Sequence, residues 1–344
     1  MDEARLIERI ACAIPSQRAQ RRAARRRGGA RGQLFVPLGI GDDAAVLSPG
    51  GRGEWVVSCD AFIEGIHFWA KVHPAESVGY KALARATSDL AAMGATPRFF
   101  LLSLALPAGC AGAWLDGFLT GMRRAALRLG MSLIGGDTTR SASVCVSVTV
   151  LGEVAPGRAV TRSGARPGDI IYVSGRLGRA ELGLRLLKNL GSAKRMADGR
   201  DWRRVLEPHL YPKVRVELGA WLARNRVASA MMDLSDGLST DLARLCATSH
   251  VGARIWAERI PCVDARAFGE KLDPLRLALH GGEDYELLFT VPRRLTARLR
   301  KAPSFEELTA IGEIVRGKRI LLVDAAGRER RLDPRGWDPF RKRS

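Results

Sequence analysis

Apolar positions along this chain change period repeatedly, from the three-to-four spacing of helices to the alternation of strands. Leu6, Ile7, Ile10 and Ile14 fall on one side of a short helix over residues 2–14. The Ala-rich run from Val78 to Met93 carries Leu83, Ala86, Leu90 and Met93 at helical spacing, with Gly94 as a stop signal and Pro97 just beyond. Trp114, Phe118, Met122, Ala126 and Leu129 mark another helix, ended by Gly130. Further helices are expected from Gly178 to Leu187, over 213–224 with Val214, Leu218 and Leu222, and from Ser239 to Thr248. Strands are expected at Trp55–Asp60, Leu133–Ile134, Val144–Leu151, Asp169–Gly175 and Ala230–Met232, and a glycine turn at 281–282 enters another that ends at Phe289. Helices and strands alternate in both halves, so the fold class is α+β, built from two α/β units. Composition shifts to Gly, Pro, Arg and Ser between Pro156 and Pro167, which divides the chain into domains at 1–155 and 156–344.

A chain of 344 residues with 46% hydrophobic and 26% charged residues is globular. No apolar run approaches the roughly 18 residues of a membrane span. Met1-Asp2-Glu3-Ala4-Arg5 lacks the apolar core of a signal peptide, so a cytoplasmic location is expected. The six cysteines are scattered without a C-x-x-C pair, which excludes a zinc knuckle or a disulfide framework. The net charge of +19 fits either nucleic acid or small anionic substrates. Seven of those charges, Arg18, Arg21, Arg22, Arg25, Arg26, Arg27 and Arg31, form one run without interleaved aromatics to stack bases. It reads as a solvated arm, and phosphate-bearing small molecules are favoured over nucleic acid.

Acidic turns recur at the ends of apolar runs. Gly39-Ile40-Gly41 leads into Asp42-Asp43, and the strand from Trp55 runs through Ser58 and Cys59 to Asp60. Asp89 interrupts an apolar helix flank, where a buried carboxylate is costly without a cation to answer it. Gly135-Gly136-Asp137-Thr138-Thr139-Arg140 reads as a turn after a strand, and Asp233-Leu234-Ser235-Asp236 follows another. Each alone is as well explained as a solvated turn. Together they supply seven carboxylates beside Gly, Ser or Thr in a basic protein, a pattern suited to several divalent cations, since crowded acids would otherwise repel or take up protons. Mg²⁺ prefers such oxygen ligands.

No G-x-x-x-x-G-K-[ST] loop, protein-kinase set, G-x-S-x-G elbow or H-E-x-x-H motif is present. Metals without a base suit phosphoryl transfer to an acceptor that needs no deprotonation. A phosphate monoester, with its second pKa at about 6, is such an acceptor.

The motifs G-I-G-D-D-A-A-V at 39–46, S-C-D at 58–60, S-D-L-A-A-M-G-A at 88–95, I-G-G-D-T-T-R at 134–140, T-R-S-G-A at 161–165, D-L-S-D-G-L at 233–238 and G-G-E-D-Y-E-L at 281–287 resemble the thiamine-monophosphate kinase family. That family lies within the ATP-binding superfamily of aminoimidazole ribonucleotide and selenophosphate synthetases, which supply the alternative activities. The resemblance implies an N-terminal β-sheet domain that pairs into a homodimer, a C-terminal α/β domain, and ATP-dependent phosphorylation of thiamine monophosphate by direct transfer. It further implies Mg²⁺ ligation by Asp43, Ser58, Cys59, Asp60, Asp89, Asp137, Asp233 and Asp236 with Asp42 close by, and places catalysis on Asp43, Asp137 and Asp236 through the metal. ATP would lie against Gly136, Asp137, Arg162 and Ser235, and thiamine monophosphate against His67, Glu283 and Trp337. Trp337 fits physically, because an aromatic face attracts a cationic ring. Two features depart from the family: Cys59 stands where Thr is usual, leaving only a backbone carbonyl to suit Mg²⁺, and the arginine run lengthens a region that is normally short.

Overall fold

The computed structural model describes residues 5, 35–38, 42–48, 53–189, 202–265, 272–300 and 307–340. The helix expected over 2–14 (Arg5 apart), the arginine run at 18–31 and the turn glycines Gly39 and Gly41 lie outside the described residues.

In chain order the first sheet and its helices are β1 (Phe35–Leu38), β2 (Ala45–Ser48), β3 (Glu54–Ile63), α1 (Ala75–Ala92), β4 (Thr96–Leu106), α2 (Ala113–Leu129), β5 (Ser132–Arg140) and β6 (Cys145–Val154). The strands lie in the order β1-β2-β3-β6-β4-β5. β3 and β6 pair antiparallel from Glu54↔Val154 to Ile63↔Cys145, while β4 and β5 run parallel across the α2 connection. Alternation decides the faces. Val56, Phe62, Phe100, Leu102, Val146, Val148 and Val150 turn inward and share one core with Leu83 and Leu90 of α1.

Nothing among the described residues covers the other face. Cys59, Ala61, Leu101 and Ser103 are exposed there, and β5 is exposed along its whole length. The glycine turn expected at 135–140 is instead the continuation of β5, paired to β4 through Leu106↔Arg140. Sterics account for this: a Cβ on Gly136 would stand 1.8 Å from the carbonyl oxygen of Leu102, so this glycine lets two strands close up.

The second sheet follows with β7 (Ile170–Ser174), α3 (Arg179–Asn189), α4 (Trp202–Leu210), α5 (Val216–Arg224), β8 (Ala230–Leu234), α6 (Leu238–Ser249), β9 (Gly252–Trp256), α7 (Pro274–His280), β10 (Glu286–Val291), β11 (Leu308–Val315), β12 (Ile320–Val323) and β13 (Glu329–Arg331). Its order is β13-β12-β9-β11-β7-β10-β8, and only β9 and β12 run parallel. Ile171, Val173, Met232, Leu234, Ile255 and Leu288 fill the core beneath α6 and α7.

Helix α1 joins the two halves. Its C-terminal turn packs so tightly on α5 that a Cβ at Gly219 would meet the Ala91 carbonyl oxygen at 2.0 Å, and Ala92 shares a cluster with Leu218, Met231, Leu287 and Phe289. Gly94 then takes φ +72°, the left-handed conformation that ends a helix without side-chain cost. The architecture is that of an α+β chain with two sheets, as expected from the alternation of elements.

Candidate active site

A cleft of about 870 Å³ lies between the two sheets and is lined by residues from both. Its floor is acidic. Carboxylate oxygens of Asp43, Asp89 and Asp233 all lie within 4.8 Å of one another, brought from the segment before β2, from α1 and from β8. Ser58 Oγ–H donates to Asp89 Oδ2 at 2.5 Å. The Arg162 guanidinium pairs with Asp43, with Nε 3.0 Å from Oδ2 and Nη2 against Oδ1. The Arg162 backbone N–H reaches Asp42 Oδ2 at 3.1 Å.

One arginine does not neutralise this group. Burial, and then Asp60, push the Asp89 carboxyl well above the usual carboxylate range. Burial and Asp43 push Asp233 up to about 7, and burial and Asp43 push Asp42 up to about 6. Three oxygen donors held against their own repulsion fit a hard divalent cation.

The other expected site residues fall into three groups. Asp60, Ser235 and Asp236 line the same cleft. Asp60 accepts Arg85 Nε–H at 3.0 Å, and Asp236 pairs with Arg244 Nη1. Asp236 and Gly237 donate their N–H groups to Asp241 Oδ2 at 3.1 and 3.0 Å, fixing the turn before α6. His67, Glu283 and Trp337 form the far wall. His67 Nδ1 accepts the Ile63 N–H at 3.0 Å, and Trp337 N–H donates to the Asp236 carbonyl at 2.9 Å, so the aromatic segment near the C-terminus docks.

Cys59 lines the cleft, yet its thiol lies 3.4 Å from Ser147 Oγ and 3.3 Å from Thr149 Oγ1 on the uncovered face of the first sheet. Gly136 and Asp137 do not join the site within this chain. Asp137 pairs with Ser103, Ser103 with Ser147, and Ser147 with Ala61, which puts Asp137 three strands from β3 on the face away from α1. Three strand spacings amount to about 14 Å.

Sequence reasoning missed Lys81, Arg85 and His209. Lys81, Arg85 and Asp89 recur every four residues on α1 and present one stripe to the site: Lys81 meets Glu283 at 2.8 Å, Arg85 meets Asp60, and Asp89 meets Ser58. That spacing on an Ala-rich helix was the available signal.

Buried histidines set an acid limit on stability. Burial lowers His67 to about 4 and His73 to about 3, against an ordinary value of 6.5. Their neutral forms therefore contribute stability that is complete above about pH 6.5 and is lost as pH falls toward those values. Urea midpoints are expected to drop between pH about 7 and 4.5, with His73 accounting for about 2–3 kcal/mol. A His73→Gln protein should lose less over the same range; a drop unchanged by the substitution would count against this account.

Comparison with known proteins gives a consistent picture. Residues 41–154 match the AIR synthase related protein N-terminal domain, and 166–324 match the AIR synthase related protein C-terminal domain. The chain is 40% identical over 311 residues to thiamine-monophosphate kinase of Escherichia coli K12, covering 90% of this chain and 93% of that protein. The solved structure of AaThiL complexed with AMPPCP and TMP is similar with a TM-score of 0.79 at 29% identity, over 98% of this chain and 97% of that one. The thiamine-monophosphate kinase of Stenotrophomonas maltophilia K279a is similar with a TM-score of 0.72 at 37% identity, over 88% and 94%.

Proposed function

Since this chain belongs to the thiamine-monophosphate kinase family, we propose that it transfers the γ-phosphoryl group of ATP directly to thiamine monophosphate, giving thiamine diphosphate and ADP. The observation that carries this reading is the convergence of Asp43, Asp89 and Asp233 within 4.8 Å, in a cleft whose far wall holds Glu283 and Trp337.

These three carboxylates would hold Mg²⁺, with Ser58, Asp60 and Asp236 around them and Asp42 behind. A divalent cation held by them would supply positive charge that offsets the repulsion between two anionic substrates. The protein's own groups do the rest. Arg162, beside Asp43, would offer its guanidinium to the nucleotide phosphates, and Ser235 lines the same cleft. His67 stays neutral at working pH, and because its Nδ1 accepts the Ile63 N–H its ring proton is on Nε2. Glu283 and Trp337 offer a charge and an aromatic face to the positively charged heterocycle. No side chain need act as general base, because the acceptor phosphate is already an oxyanion at pH 7.

In this reading residues 1–155 supply Asp43, Ser58, Asp60 and Asp89 to the metal and pair the subunits, while 156–344 supply Arg162, Asp233, Ser235 and Asp236. The uncovered face of the first sheet, where Leu101 is 37% exposed, would be the homodimer contact, and the edge strand β5 beside it leaves Leu133 and Ile134 each 55% exposed. Across it, Gly136 and Asp137 of one copy would complete the cleft of the other. Among the described residues no helix is long and apolar enough to cross a membrane, and use of ATP fits the cytoplasm.

Incubating the purified protein with ATP, Mg²⁺ and thiamine monophosphate is expected to yield thiamine diphosphate and ADP in equal amounts, and a chelator should stop it. ATP hydrolysis without the diphosphate, or turnover indifferent to the chelator, would remove the proposal.

A further inference from the structure

Behind the far wall of the cleft, three buried nitrogen-bearing side chains form a continuous chain that ends on one oxygen of Glu283. Lys81 on α1 is 1% exposed, His209 on α4 is fully enclosed, and His73 is 4% exposed. Lys81 Nζ stands 2.8 Å from Glu283 Oε2, and His209 Nδ1 stands 3.2 Å from the same atom. His73 Nε2 lies 2.9 Å from His209 Nε2.

One order of donors along this chain follows from its outer end. The Trp69 N–H donates to His73 Nδ1 at 3.2 Å, which leaves the ring proton on Nε2. That proton is donated to His209 Nε2, so the His209 proton sits on Nδ1 and points at Glu283. The reverse order, with His73 Nδ1–H donating to the Trp69 carbonyl at 3.3 Å, would leave His209 Nδ1 accepting from Lys81 Nζ at 3.3 Å while its lone pair faced the Glu283 carboxylate at 3.2 Å. Burial favours the neutral form of both rings, which this arrangement requires.

Glu283 is therefore gripped through Oε2 by an ammonium and an imidazole N–H. Burial opposes its ionisation, but Lys81 and His209 hold its carboxyl well below the usual range. Its backbone is fixed as well, at φ +68° with its N–H on the Ser235 carbonyl at 2.7 Å. The shortest contacts of Lys81 and His209 are both to Oε2, no hydrogen bond to Oε1 is found among the described residues, and Glu283 lines the cleft.

We propose that Lys81, His209 and His73 are positioning residues for the acceptor substrate: together they keep Glu283 ionised and aim its second oxygen at the cationic heterocycle of thiamine monophosphate. The inference rests on the proposed function. It assigns the network to acceptor recognition, leaving the nucleotide end of the cleft untouched.

Steady-state kinetics on the purified full chain tests it. Lys81→Met is expected to raise KM for thiamine monophosphate by about tenfold or more while KM for ATP stays within about twofold. On a Glu283→Gln background Lys81→Met should add nothing further, because the charge that it holds is gone. Equal rises in both Michaelis constants, or additive effects of the two substitutions, would overturn the proposal. Lys81→Met also alters a fully buried site, so His209 supplies an independent comparison. His209→Asn places an N–H near the position of Nδ1–H and should keep KM for the acceptor near the wild-type value, whereas His209→Leu should raise it; identical values for the two would overturn the relay. A wild-type protein that does not phosphorylate thiamine monophosphate removes the proposed function and this inference together. Wild-type turnover with uncoupled variants removes the inference alone.

Discussion

An Asp89→Asn protein is expected to keep its fold and to lose at least about a thousandfold in turnover of thiamine monophosphate. Asparagine preserves the shape and an oxygen for the Ser58 hydroxyl, which lies 2.5 Å away, but it carries no charge for a cation. A thousandfold corresponds to about 4 kcal/mol, within what Lewis-acid stabilisation of a phosphoryl transition state supplies. Stability should move the other way. Because burial and Asp60 raise the folded-state pKa of Asp89, its contribution to stability is complete only at low pH and is lost as pH rises through the raised value. At neutral pH the amide relieves that loss, so the metal-free variant should melt no lower than the wild type. The wild type should gain thermal stability on adding Mg²⁺, and the variant should gain much less. Undiminished turnover, or an equal gain from Mg²⁺, would show that Asp89 is not a ligand.

Mixing two inactive variants should restore activity. If Asp137 serves the neighbouring copy, Asp137→Asn alone and Asp89→Asn alone are both inactive. Subunits exchanged at random between them give half heterodimers, each with one intact cleft, and hence about a quarter of wild-type turnover. The strand register motivates this: Asp137 stands three strands from β3, on the sheet face opposite the one that α1 covers. Co-purified, differently tagged heterodimers would provide the measurement. Turnover no higher than that of either parent would return Asp137 to a role within its own chain or to none.

The acids were legible because the chemistry that needs them conflicts with ordinary packing. Asp89 interrupts the apolar flank of an Ala-rich helix, where burial demands an answering charge. Asp233 and Asp236 were expected after an apolar strand; Asp233 lies within β8 and Asp236 in the turn before α6. What could not be read was which face a strand residue takes. Gly135 to Arg140 spells a turn by composition, but pairing with β4 overrides local preference and extends the strand. Lys81 and His209 were illegible for another reason. A lysine on a helix is ordinarily solvated, and only the fold brings residues 81, 209 and 283 to one point.

The charged stripe on α1 also bears on selectivity. Lys81 and Asp89 are two helical turns apart, about 12 Å along a rigid rod locked between both halves of the molecule. In the proposed function one end of that rod lies by the receiver of the cationic ring, and the other by the site of phosphoryl transfer. The enzyme thereby carries a built-in yardstick: an alcohol phosphate whose arm is one carbon shorter would dock its ring and leave its oxyanion more than about 1 Å out of reach.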